Sequence, residues 1–195
     1  MQVKSMAEAK EGSIRYKLDS SKSRFVVKAF ATGLLSSLGH NPTIAIRTFT
    51  GEAQFSPGTL TGASLRVTAQ ADSMQVTDDV SDKDRREIER QIQEDVLETS
   101  RYPQITFETT ESSVEKVFEG QYRAKLSGKL NLHGVTRDLT IIAQVKAGED
   151  TMRANGEFSI SQKDYGIKQV TALGGSIKLK DELKFSFDLV GHREG

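Results

Sequence analysis

The residues with the widest chemical reach in this 195-residue chain are its three histidines, His40, His133 and His192. An imidazole can serve as general base, proton shuttle or metal ligand. His40 and His133 each adjoin a glycine in a turn-like stretch, and His192 lies near the end. A metal centre would need His40 and His133 to meet beside a carboxylate such as Asp138, and their spacing does not demand this. Turn histidines bonded to backbone account for them more simply. Asp164 next to Tyr165 reads as a turn-stabilising carboxylate rather than a general acid, and Asp78-Asp79 as a solvated pair. Without cysteine, the chain has no thiol nucleophile, disulfide or thiolate metal site. It also lacks a glycine-rich phosphate loop leading into a helix, a nucleophile elbow and a His-Glu-x-x-His pair. Gly174-Gly175 is a loop signal only. The expectation is therefore binding rather than catalysis, with no metal and no catalytic residue.

Lys plus Arg equals Asp plus Glu at 27 each, so charge gives no sign of a nucleic-acid partner. The length suits one domain with a substantial core. No run approaches the ~20 apolar residues of a membrane-spanning helix. Residues 1–12 read as a flexible tail and 13–191 as a single domain. The N-terminal stretch MQVKSMAEAKEG has no apolar segment of the secretory kind, so the chain as written reads as cytoplasmic.

The elements that would position a site are mostly strands. Lys125 to Lys146 alternates with period two on both sides of His133-Gly134. Leu126, Gly128, Leu130 and Leu132 share one face, and Leu139, Ile141, Ala143 and Val145 continue it. That pattern predicts a hairpin with one buried and one wet face. Ile14 to Leu18, Arg24 to Phe30, Ala63 to Asp72, Ile105 to Thr109, Thr151 to Ile160 and Leu183 to Leu189 alternate similarly. Thr43 to Phe55 switches parity near Thr48, which predicts a bend or bulge. Ser81 to Glu98 is the one helix expected. Ser81 and Asp84 supply a capping-box-like start, and Ile88, Ile92 and Val96 form a narrow apolar stripe. About eight to ten strands with short turns suit an antiparallel sandwich or a closed barrel.

The inward faces mix large apolar residues with Ala63, Ala69, Ala71, Gly128, Ala143, Ala154 and Gly156. Small residues can permit curvature and accept a bulky neighbour. They can equally leave a hollow for an apolar ligand. On the second reading, Gly156→Leu or Ala143→Phe would block uptake without unfolding the protein. A strand of about nine residues spans roughly 30 Å, so such a hollow suits an extended hydrocarbon better than a compact metabolite.

The sequence resembles the YceI-like, polyisoprenoid-binding, lipocalin-like family. Leu126-x-Gly128-x-Leu130-x-Leu132-His133-Gly134-Val135-Thr136-Arg137 looks like its central signature. Leu38-Gly39-His40, Phe49-Thr50-Gly51, Val96-Leu97-Glu98-Thr99, Tyr102-Pro103-x-Ile105-x-Phe107 and Asp164-Tyr165-Gly166-Ile167 follow the family's order. The likeness runs from about Ile14 to Val190. It implies an extended eight-stranded antiparallel lipocalin-like barrel with one helix near an end. It also implies binding, transport or storage of a long-chain isoprenoid lipid or quinone. Family members are often periplasmic or secreted, whereas this chain shows no signal peptide. Its helix is also longer than is usual there, and it ends in Val96-Leu97 rather than paired phenylalanines.

On that reading Phe25, Val27, Leu65, Val67, Ile88, Ile92, Leu130, Ile141, Met152, Phe158 and Phe185 are candidate lining residues. The irregular segments near Leu35 and Leu173 would form the rim. No cofactor is expected beyond a bound polyisoprenoid or quinone, and no stable membrane insertion. Two alternatives remain open. One is an enzyme acting on a hydrophobic substrate through His40 or His133. The other is a packed-core interaction module, such as a homodimer through an exposed strand edge.

Overall fold

The structure is a computed structural model that describes residues 12–32, 41–56, 58–60, 62–168, 171–172 and 177–194. The segments holding His40, Leu35 and Leu173 lie outside the described residues. The strands are β1 (Ile14–Leu18), β2 (Arg24–Lys28), β3 (Ala31–Thr32), β4 (Thr43–Ile46), β5 (Phe49–Phe55), β6 (Ser64–Gln70) and β7 (Met74–Val76). After the helix come β8 (Gln104–Phe118), β9 (Gln121–Leu132), β10 (Val135–Ala147), β11 (Thr151–Ser161), β12 (Thr171–Ala172), β13 (Ile177–Leu179) and β14 (Glu182–Arg193).

Every pairing is antiparallel, and β1 pairs with both β5 and β14, which closes the sheet. Three staves of the wall are each made of two short strands. β1 pairs with Gly191–Arg193 of β14, and β2 pairs with Lys184–Asp188 of the same strand. Between them, residues 19–23 bulge outward but stay bonded to β14. Asp19 N donates to Val190 O, and Val190 N donates to the Ser23 hydroxyl. Likewise β4 with β5 faces β7 with β6. The chain bends between them at Arg47-Thr48, opposite a 3₁₀ turn over Ala71–Ser73, where the Ser73 hydroxyl accepts from Thr48 N. This is the bend that the parity switch near Thr48 predicts. Counted by staves, the fold is a closed eight-stranded antiparallel barrel. β3, β12 and β13 form a small separate sheet.

The two ends of the barrel differ. One end carries the β8–β9 and β10–β11 turns and is packed solid. Tyr16 stacks on Phe55 at 4.9 Å, and its hydroxyl donates to Gly148 O at 2.9 Å. The Tyr122 hydroxyl donates to Gly58 O at 2.9 Å, and Leu60, almost wholly buried, plugs the centre. The other end carries the β9–β10 turn and the helix.

That helix, α1 (Asp82–Gln91), is capped by Ser81, whose hydroxyl accepts from Asp84 N. It is shorter than the expected Ser81 to Glu98, because one turn of π-helix follows over Ile92–Val96, with Leu97 N donating to Ile92 O. The change has a geometric use. Residues four apart drift by about 40° per step on an α-helix, and the wider π turn takes up that drift. Ile88, Ile92 and Val96 thus stay on one side. α1 also stands in for a missing neighbour of β7. Glu89 accepts from Val76 N at 2.9 Å, and Arg85 donates to the carbonyls of Val76 and Asp78.

Two measurements test this account. Tyr16→Phe leaves the Gly148 carbonyl without its donor. It should cost about 1 kcal/mol, read as a lower urea midpoint at unchanged slope. On α1, bonds from the Arg90 guanidinium and then the Gln91 amide hold the Glu87 carboxyl down to about 2. A carboxyl lowered on folding favours the folded state above its unfolded value, and that favour is lost as pH falls through the folded value. An NMR titration should show Glu87 ionised well below the ordinary ~4.3 of a free glutamate. In Arg90→Ala the titration should return toward that ordinary value.

Candidate functional site

Inside the helix end lies a hollow of about 160 Å³. Every stave contributes to it, and so do Ile88, Ile92, Val96 and Leu97 over the mouth. One wall is a run of rings. Phe158 stacks on Phe185 at 4.8 Å and 4°, Phe187 lies 6.4 Å from Phe158, and Phe25 lies 6.2 Å from Phe185. Such pairs add ~0.5–1.5 kcal/mol each beyond their burial, which makes that wall stiff.

Among the described residues, the only polar side chains on the lining are those of Gln91 and Gln162. Gln162 is buried, and its amide is turned to the wall, donating to Lys180 O at 2.9 Å. No described lining residue carries a hydroxyl, a carboxyl, an imidazole or an amine. Water needs two to four polar partners to be held, so a surface of this kind favours an apolar guest.

Of the candidate lining residues, Phe25, Val27, Leu65, Val67, Ile88, Ile92, Leu130, Ile141, Phe158 and Phe185 lie on the hollow. Met152 does not. Its side chain sits in the packed end, where its Cγ lies 2.9 Å from the position of a Cβ on Gly191. Sequence reasoning did not single out Phe107, Phe187, Ile44, Ile46 or Leu139, which also line it. Their parity was visible, since Phe187 alternates in phase with Phe185 and Leu189. What was not visible is the depth at which packing gives way to space.

The small residues are mostly not where the space is. A Cβ at Gly156 would meet Ile142 O and lie 2.8 Å from the Phe187 ring. At Gly128 it would meet Glu108 O and lie 2.8 Å from the Phe107 ring. Ala143 and Ala154 are buried in the filled half. At these positions smallness accepts a bulky neighbour and a close backbone. Gly156→Leu would therefore strain the wall rather than block an open channel. Ala69 alone of the singled-out small residues borders the hollow.

His133 lies apart from the lining. Its Nε2 is 2.9 Å from Glu98 Oε2, its Nδ1 is 3.2 Å from Tyr165 O, and the Tyr102 ring packs at 4.6 Å. Both φ values of the His133-Gly134 turn are positive, 53° and 73°, as a two-residue hairpin turn requires. The Tyr102 ring fills the space beside Gly134 that a side chain would take. The cluster ties the end of the π turn to the β9–β10 turn and to the 3₁₀ turn Gln162–Tyr165. Among the described residues no group of three His, Cys, Asp or Glu side chains could hold a metal, and no helix is long and apolar enough to cross a membrane. His133→Ala should lower stability by about 1–3 kcal/mol, through loss of bonds to partly buried partners, in thermal unfolding. It should leave the hollow's capacity for an apolar guest unchanged.

A family model described as the YceI-like domain matches residues 16–191. A UPF0312 protein of Vibrio cholerae serotype O1 (strain ATCC 39541 / Classical Ogawa 395 / O395) is 29% identical over 130 residues, 64% of each chain. The chain thus spans about 64% of the length of the curated relatives it matches. Burkholderia cenocepacia BcnA superposes with a TM-score of 0.67 at 18% identity, over 89% of this chain and 98% of that one. A polyisoprenoid binding domain from Saccharophagus degradans, implicated in plant cell wall breakdown, gives 0.63 at 13% identity over 92% and 98%. The Campylobacter jejuni YCEI protein gives 0.62 at 17% over 80% and 88%. At such identities the structural likeness is one of fold.

Proposed function

The chain belongs to the YceI-like family, and from that premise we propose that it is a non-enzymatic carrier of a long-chain isoprenoid lipid or isoprenoid quinone. The observation that carries this reading is the lining itself, apolar surface with only two amides among its described residues. A guest held there gains about 0.8 kcal/mol for each buried CH₂, less the cost of ordering its chain. No group on the described lining selects a polar head, so affinity follows the tail. The head group stays at the mouth, near Gln91 and α1, where solvent solvates it. The polyisoprenoid binding domain among the structural relatives supports the choice of tail. The absence of any nucleophile, acid or base among the described lining residues supports carriage over turnover.

Mass spectrometry of an organic extract from the natively purified protein tests the proposal, followed by incubation with prenols and a prenylated quinone. One guest per chain, recovered unchanged, is expected. A protein that stays empty after incubation overturns it. Ile92→Glu places a carboxylate at the mouth on a half-buried residue. It should reduce uptake at least tenfold while the circular dichroism spectrum stays that of the parent.

A further inference from the structure

We propose that the rings of Phe107 and Phe187 narrow the hollow just above its lowest lining residues, Leu65 and Leu189, and set the length of chain that it holds, an inference that rests on the apolar-chain reading above. Both rings line the hollow, and both are seated on glycines, Phe107 over Gly128 and Phe187 over Gly156. Toward the packed end the buried side chains Leu126, Ala143 and Tyr122 no longer border it. That end is shut by hydrogen bonds as well as by packing, with Tyr16 bonded to Gly148 O and Tyr122 to Gly58 O. The hollow is therefore blind, and a chain that enters beneath α1 meets the rings before it reaches Leu65 and Leu189 at the bottom.

Its depth can be read from β14, whose Leu183, Phe185, Phe187 and Leu189 all border the hollow. Leu183 to Leu189 covers about 20 Å along the strand, at about 3.3 Å per residue. With strands tilted by roughly 40°, that is about 15 Å along the barrel axis. Tails longer than this must fold back or trail from the mouth. The glycines make the two rings the adjustable part of the hollow. Beneath a removed ring there is no side chain to swing in, so the vacated space stays open. Changes at the glycines themselves are poor probes, because a Cβ there would also meet the carbonyls of Ile142 or Glu108.

The test is native mass spectrometry of the full chain with geraniol, farnesol, geranylgeraniol and octaprenol, each titrated separately. In the parent protein affinity should rise with each added isoprene unit and then level off. Phe187→Ala should move the levelling point at least one unit longer and gain threefold or more for the next prenol in the series. Phe107→Ala should act in the same direction. Phe187→Leu and Phe107→Leu, milder changes, carry the test if an alanine variant does not fold. Leu183→Ala, at the mouth, should leave the levelling point where it is. An unmoved levelling point in every folded ring variant of a protein that binds prenols overturns the role of the rings alone. So does a levelling point moved equally by Leu183→Ala. A parent protein that takes up no prenol overturns the carrier reading, and this inference with it.

Discussion

Two phenylalanine rings resting on two glycines divide this barrel into unlike halves. An eight-stranded barrel encloses little more room than its own inward side chains can fill. Whether any of it stays hollow depends on how the large and small residues are distributed along the staves. Here Gly128, Ala143, Ala154 and Gly156 lie in the half that also holds Tyr16, Phe55, Leu60 and Tyr122. Small wall positions and large plugs cancel, and that half is solid. The other half has leucines, isoleucines and phenylalanines around its wall and nothing projecting into its middle. The hollow arises where nearly all the wall residues are large, Ala29 and Ala69 being the small ones, and none of the large ones faces a gap it could fill. The rings of Phe107 and Phe187 stand at the boundary.

This explains which parts of the structure the sequence discloses. Period-two alternation reveals the strands, their inward faces and the bend near Thr48, because burial on one face leaves a residue-by-residue trace. Ser81 and Asp84 mark the helix start, because a cap is a local chemical event. The π turn is less legible, although Ile88, Ile92 and Val96 at strict fours already depart from the α period. The hollow leaves no trace of its own, because a lining leucine and a core leucine obey the same pattern. Hence Phe25, Phe158 and Phe185 fall on the lining while Met152, equally apolar and in phase, falls in the packed end. Leu60 was hidden for another reason. It plugs the barrel from a loop with a positive φ of 54°, outside any periodic segment.

The polar side chains described around the mouth hold it together. Arg85 and Glu89 give β7 the bonds that a further strand would have given. His133 joins Glu98 and Tyr165 O in one cluster at the helix end, under the Tyr102 ring. Cross-strand pairs such as Lys129 with Asp138 and Lys184 with Glu157 lie on the outer face, where solvent leaves each worth little. His133, which looks reactive in the sequence, is therefore structural, and the described side chains that border the hollow are apolar apart from two amides.

Closure through β1 and β14 has a consequence for how the chain reaches this state. Tyr16 lies opposite Arg193, so the seam joins residues from the two extremes of the described chain. The intervening hairpins, β8 through β11, link neighbours in sequence and can form early, whereas the seam is the most distant contact in the fold. During synthesis the inner face of β8 to β11 stands uncovered until β14 has been made and has found both β11 and β1. For that interval the apolar surface that later encloses a guest is open along one side. A lipid that met the chain then would find a trough instead of a narrow mouth, and loading could accompany folding instead of following it.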